Sequence, residues 1–212
     1  MSPQGQLPLE VPPTVYLVDD DDELRDGLTL LLERAGYRVC PFGSAEGLLA
    51  ALDPRARGCI VLDVNLPGLQ GPELQAELGR RGTRLPILFL TGSATVPLAV
   101  EAIRAGARDV LLKPAKPEVL LARVAELVAE HTAFARVHDG HQRLVDCLTP
   151  REREVLALLA EGLVHKDIAA RLGISFRTVE VHRAHIMRKT GLATTLALAD
   201  FVRAARAAKV VI

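Results

Sequence analysis

Between Thr14 and Val128 the chain alternates short apolar runs with stretches whose apolar residues recur at helical spacing, and this alternation limits the fold more than any other feature. Thr14–Val18, Val39–Cys40, Gly58–Leu62, Pro86–Leu90 and Val110–Leu112 read as strands. Between the first two, Leu24, Leu28, Leu31, Leu32 and Ala35 form a helical stripe that stops at Gly36, so the stripe must face a sheet. Ser44 is placed to cap a second helix, Pro72 sits where a first-turn proline is tolerated, and Pro97 and Pro117 each match the preference for proline at a first helical position. Strand and helix alternating five times predict an α/β fold with a doubly wound, five-stranded parallel sheet.

The pattern then changes. The helix from Pro117 carries Leu120, Val124, Leu127 and Val128, after which periodicity dissolves in HTAFARVHDGHQ, with Gly140 read as a breaker. From LTPREREVL onward, through Ala208, only helical patterns occur. The expected organisation is a flexible arm over 1–13, an α/β domain over 14–130, a linker over 131–147 and a small all-α domain over 148–212.

A chain of 212 residues is long enough for two ordinary cores, and 49% hydrophobic with 25% charged residues excludes a wholly disordered or collagen-like chain. The net charge of zero hides an asymmetry: residues 1–130 hold 13 Lys+Arg against 18 Asp+Glu, and residues 131–212 hold 13 against 8, with all six histidines. An acidic part is thus joined to one suited to polyanions. Cys40, Cys59 and Cys147 are far apart, which suggests neither a disulfide framework nor a zinc knuckle and fits a reducing cytosol. No basic segment leads into an apolar run at the start, and LPILFLTGSATVPLAV is interrupted by proline and glycine, so a cytoplasmic protein without a membrane span is expected.

In a doubly wound sheet, ligands bind beyond the carboxyl ends of the strands. There the sequence places Asp19, Asp20, Asp21 and Asp22 after the first run, Asp63 after the third, Thr91 after the fourth and Lys113 with Pro114 after the fifth. Clustered carboxylates repel one another, and a hard divalent cation such as Mg²⁺ relieves that repulsion with oxygen ligands. Asp63, between a metal and the Lys113 ammonium, would be an ionised nucleophile able to accept a phosphoryl group, with Thr91 donating a hydroxyl hydrogen bond to it. A phosphatase of the haloacid-dehalogenase type would instead carry its nucleophile on the first strand in an Asp-x-Asp pair, whereas Asp63 ends the third run and is followed by Asn65.

In the helical part, Thr149 caps a helix with Pro150 at its first position and Glu152 returning a bond; Val155, Leu156, Leu158 and Leu159 form its apolar face and Gly162 ends it. A second helix near Lys166–Leu172, a turn at Gly173 and a third helix from Ser175 to about Lys189 make a helix-turn-helix. At about 100° per residue, Val179, Ile186 and Thr190 share one face with Arg183 beside it. Arg177, Val181, Ala184 and Arg188 lie opposite, flanked by Glu180 and His185, and would face DNA. Arg177 and the N–H of Thr178 suit phosphate, Glu180 suits cytosine, Val181 suits a thymine methyl, and small Ala184 permits deep seating. Lys166, His182 and Lys189 complete the candidate DNA contacts. The last helix, Leu196–Ala208, offers Leu196, Leu198, Phe201 and Val202 for core packing or for pairing. His182 with His185, and His138 with His141, lack third and fourth ligands, so no zinc site is expected.

On these residues, 14–130 resembles a bacterial receiver domain of flavodoxin-like fold, and the whole chain resembles FixJ-type response regulators of the NarL/LuxR class. The stretch LDVNLPGLQG resembles that family's phosphorylation loop; LTPREREVLALLAEGL, KDIAARLGIS and RTVEVHRAHIMRK resemble its LuxR-type output signature. The resemblance implies that Asp19, Asp20, Asp63 and the carbonyl of Asn65 hold Mg²⁺, that a sensor histidine kinase phosphorylates Asp63, and that Lys113–Pro114 is cis. It also implies that Thr91 is the switch residue and that the phosphorylated chain pairs as a homodimer on promoter DNA. The receiver would catalyse only its own phosphotransfer and dephosphorylation. Val110 stands where the family usually has an aromatic switch residue, Ala115 where it has Phe, and Val164-His165 where it more often has Ser-Asn. A second reading therefore keeps the DNA binding and drops control by phosphate, the receiver's switch being degenerate.

Overall fold

The computed structural model describes residues 13–53, 55–92 and 96–212. The arm expected over 1–13 lies outside the described residues except for Pro13. The chain divides into two compact units after Ala133.

The first unit is built on β1 (Thr14–Val18), β2 (Arg38–Phe42), β3 (Gly58–Asp63), β4 (Ile87–Thr91) and β5 (Asp109–Leu112). All neighbours are parallel, in the order β2-β1-β3-β4-β5. Parallel neighbours require crossovers, which α1 (Asp22–Arg34), α2 (Ala45–Ala51), α3 (Gly71–Arg80) and α4 (Val96–Arg104) supply. Strand side chains alternate between faces with period two. Val15, Leu17, Cys59, Val61, Leu88 and Leu90 therefore meet Leu32 of α1 and Leu120, Val124, Leu127 and Val128 of α5 (Pro117–Asp146) on one face. On the other, Val18, Ile60, Leu62, Ile87 and Phe89 pack against Leu48, Leu74, Leu78 and Ala102 of α2, α3 and α4. Fully burying each such leucine or phenylalanine contributes about 1.5–3 kcal/mol.

The caps follow the side chains that can make them. Asp21 accepts from Leu24 N at 3.1 Å and Ser44 from Gly47 N at 3.2 Å. Pro117 holds the first helical position of α5, whereas Pro72 and Pro97 stand at the second of α3 and α4, where proline is also free of a lost hydrogen bond. Lys113–Pro114 is cis. Cys59, in the core, has its thiol pushed up to about 12 by burial, and the described cysteines are free.

The reading of Gly140 as a breaker is corrected by the structure, because α5 is one helix of 30 residues that runs through it. A lone glycine costs a helix about 1 kcal/mol relative to alanine and does not stop it without a proline or a C-cap arrangement. Neighbouring side chains close their bonds within the helix: His141 Nδ1 lies 2.7 Å from Val137 O and Gln142 Nε2 lies 2.8 Å from Asp146 Oδ1.

In the second unit, α6 (Pro150–Ala160), α7 (His165–Leu172), α8 (Phe176–Thr190) and α9 (Thr195–Ala207) enclose a core containing Val155, Leu156, Leu159, Ile168, Val179, Ile186, Leu198, Phe201 and Val202. Gly173, with φ of 65°, ends α7 in the left-handed conformation that glycine adopts without steric cost. Among the described residues no helix is long and apolar enough to cross a membrane.

Gly58 starts β3 at φ +127°, and a Cβ there would lie 1.7 Å from Thr14 O on the adjacent strand. Gly58→Ala is expected to destabilise the first unit by about 3 kcal/mol or to prevent its folding, as read by urea denaturation.

Candidate functional site

At the carboxyl ends of adjacent strands, the first unit gathers Asp19, Asp63, Thr91 and Lys113. Asp19 and Thr91 are fully buried and Asp63 is 6% exposed, an uncommon setting for carboxylates. They tolerate it because each oxygen is engaged. Lys113 Nζ donates to Asp19 Oδ2 and to Asp63 Oδ2, both at 2.6 Å. The remaining oxygens accept from their own loops: Asp19 Oδ1 from Asp21 N at 3.1 Å, and Asp63 Oδ1 from Asn65 N at 3.1 Å. Lys113 N in turn donates to Thr91 O at 2.8 Å, which fixes the lysine beside the strand that carries the threonine.

Burial acts to pull the Lys113 ammonium down, but its hydrogen bonds to Asp19 and Asp63 and their charges outweigh that and hold it above the usual lysine value. It is therefore charged at neutral pH. One ammonium does not balance three carboxylates: Asp19, Asp20 and Asp63 present oxygens within 4.8 Å of one another, with Asp20 exposed at the mouth. The donor set is all oxygen, the residual charge is negative and the spacing fits one ion, so the residues present suit a hard divalent cation.

The four consecutive aspartates divide their work: Asp19 and Asp20 face the cluster, Asp21 caps α1, and Asp22 pairs with Arg25 one turn on. Arg25 was not anticipated, although its spacing from Asp22 was a visible signal; its Nη1 donates to Asp19 O at 2.7 Å and so steadies the acidic loop. Glu46 was not anticipated either, and accepts from Leu69 N at 3.2 Å in the loop after Asp63. No local pattern announces that contact, since Glu46 and Leu69 lie 23 residues apart in the chain. Val110 is half-buried and packs with the Phe89 and Ala102 side of the sheet, while Ala115 packs with the opposite side. Around them, Val100, Ile103, Leu112 and Val119 are exposed large apolar residues on α4, β5 and α5.

In the second unit, α8 presents the expected faces. Val179, Ile186 and Thr190 are buried, whereas Arg177, Glu180, Val181, Ala184 and Arg188 are exposed, as is Lys166 on α7. His182 is half-buried. The N–H of Thr178 is already taken by Ser175 Oγ at 3.0 Å. Two further candidates turn toward α6: Lys189 Nζ lies 2.6 Å from Glu152 Oε2, and His185 Nδ1 lies 3.7 Å from Glu152 Oε1. Glu152 is 3% exposed and also accepts from Thr149 N at 2.8 Å, while Thr149 Oγ1 accepts from Glu152 N at 3.2 Å. Burial pushes its carboxyl up, but the Lys189 hydrogen bond, the Thr149 bonds and the Lys189 charge prevail and hold it below the usual carboxylate range.

Residues 15–125 match the response regulator receiver domain, and residues 146–202 match the bacterial regulatory proteins of the luxR family. The chain is 42% identical over 194 residues to the transcriptional regulatory protein FixJ of Azorhizobium caulinodans, which covers 90% of each chain. Among solved structures it is similar to the response regulator StyR, with 38% identity over 91% of this chain and 99% of that one and a TM-score of 0.68. Full-length FixJ from B. japonicum matches with 38% identity over 92% and 98% of the two chains and a TM-score of 0.57. The chain belongs to the FixJ-like two-component response regulators, in which a receiver is joined to a LuxR-type DNA-binding domain, and it regulates transcription. These two domains imply a sensor kinase and promoter DNA as partners.

Because the folded-state pKa of Glu152 is lowered, the stability it confers is full above the unfolded carboxylate value of about 4.3 and is lost as pH falls through the lower folded value. The difference in melting temperature between the wild type and Glu152→Gln, followed by circular dichroism, is expected to be steady from about pH 7 to 5 and to narrow below about pH 4.

Proposed function

We propose that a sensor histidine kinase phosphorylates Asp63 and that this controls pairing and DNA binding by the chain. The carrying observation is Lys113 Nζ, held 2.6 Å from both Asp19 Oδ2 and Asp63 Oδ2. In this reading Asp63 attacks the phosphorus of a phosphohistidine, an acyl phosphate forms, and the P–N bond breaks with the histidine leaving. Lys113 stays charged and follows the growing negative charge from the carboxylate to the phosphoryl oxygens. Mg²⁺, held by Asp19, Asp20, Asp63 and the carbonyl of Asn65, would neutralise the remaining phosphoryl charge. Thr91 donates its hydroxyl to a phosphoryl oxygen. The reverse loss of phosphate to water closes the cycle, so the receiver's only catalysis is on itself. The protein acts in the cytoplasm, where its kinase donor and its DNA meet.

Phosphorylation adds roughly −1.5 to −2 charges at Asp63, drawing Thr91 inward and shifting the loops after β4 and β5. The apolar residues Val100, Ile103, Leu112 and Val119 then pair with their copies, and two output domains meet a two-fold DNA site. On each half-site, Lys166 and Arg177 contact phosphate with the first turn of α8 around Thr178, while Glu180 and Val181 read bases. Ala184 lets α8 approach, and His182 and Arg188 border the groove. Val110 favours a second reading, DNA binding without phosphate control, since a half-buried valine lacks the swinging ring of an aromatic switch.

With Mg²⁺ and acetyl phosphate, the wild type is expected to gain one phosphoryl group by mass spectrometry and to double its mass by light scattering. Asp63→Asn, or wild type without Mg²⁺, is expected to do neither. Phosphorylation is expected to tighten DNA binding by about 5- to 150-fold, the usual range of such coupling. Unchanged affinity and full activation in Asp63→Ala would favour the second reading.

A further inference from the structure

Glu152 does more than its place at the start of α6 requires. Its Oε2 already completes the capping pair with Thr149, yet the same buried carboxylate takes Lys189 Nζ at 2.6 Å and faces His185 Nδ1 at 3.7 Å. Lys189 and His185 lie near the far end of α8, close to exposed Arg188 and Ala184. Packing of Val179 and Ile186 turns one face of α8 to the core, and the ion pair adds a directional tie nearer the end of the helix. An ion pair anchored on a carboxylate whose own position is set by the Thr149 bond is directional. Reading base edges requires side chains held to roughly 10–20°.

We infer that Glu152 is a positioning residue for DNA reading, which refines the rotation of α8 through Lys189 and His185, and that Lys189 is a strut to α6 rather than a phosphate contact. The inference rests on the proposed DNA-facing side of α8. For Lys189 to turn to a phosphate it would have to give up its 2.6 Å bond to Glu152, leaving a carboxylate that is 3% exposed with only the Thr149 N–H and the more distant His185, and removing one partner of a buried ion pair is costly. Arg188, exposed and adjacent, has no such conflict.

The test uses the full chain, a duplex that the wild type selects from a randomised pool, and an unrelated duplex of equal length. Gln at position 152 keeps the backbone cap, as Gln serves in capping pairs, and removes only the charge. Glu152→Gln and Lys189→Gln are each expected to weaken binding to the selected duplex by about tenfold, with the double variant no weaker than either single, since one interaction is lost in all three. Binding to the unrelated duplex is expected to hold. The slope of log K against log salt is expected to be unchanged in Lys189→Gln, whereas Lys166→Gln lowers it by about 0.9 as a true phosphate contact does. A slope loss of that size for Lys189→Gln, additive effects of the two substitutions, or wild-type affinity in Glu152→Gln would overturn the inference. If Glu152→Gln melts below the assay temperature, Lys189→Gln and its salt slope decide alone. A wild type that enriches no sequence would overturn the DNA-reading assignment and the strut with it.

Discussion

The ammonium of Lys113 is the group on which the receiver depends. It gives the buried side chains of Asp19 and Asp63 a shared charged partner at 2.6 Å, where a carboxylate buried without one would face a desolvation cost of several kcal/mol. The sheet serves this arrangement: parallel strands put the ends of β1, β3, β4 and β5 side by side, and the fully buried strand β3 carries Asp63 to the edge of the core. Arg25 and Glu46 then hold the two loops that bear the carboxylates.

Among the described residues, lysine meets buried carboxylate at Lys113 and at Lys189, and charge balance separates the two cases. Around Lys113 there are three carboxylates, so one ammonium leaves a negative excess that a cation can complete and a phosphoryl transfer can reorganise. Around Glu152 there is one carboxylate for Lys189, with His185 nearby, and every strong bond is already made. The first arrangement is reactive because it is incomplete. The second is rigid because it is closed.

The fold was legible because each level of the sequence agreed with the next. The apolar runs ended where β1, β3 and β4 end within a residue or so, Ser44, Thr149 and Ser175 capped as their side chains allow, and the helical wheel of α8 separated Val179 and Ile186 from Arg177 and Val181 correctly. What misled was Gly140, because a breaker signal of about 1 kcal/mol is smaller than the packing of Ala135 and Val145 on either side of it. The bond between Lys189 and Glu152 escaped the sequence for another reason. Periodicity reports which way a Cβ points, but a four-carbon stem can carry its charge back to a partner on another helix, and no spacing within α8 reveals Glu152.

The uninterrupted course of α5 also has a thermodynamic side. Leu120, Val124, Leu127 and Val128 lock its first turns into the sheet, and Val145 locks its last into the helical core. The turn around Gly140 is held by the bonds of His141 with Val137 and Gln142 with Asp146 and by the stack of His141 on Phe201 of α9, with ring centroids 5.4 Å apart. Gly140 itself, where a Cβ would touch nothing within 4 Å, costs the helix the backbone entropy of glycine, about 1 kcal/mol against alanine, with no close packing in return.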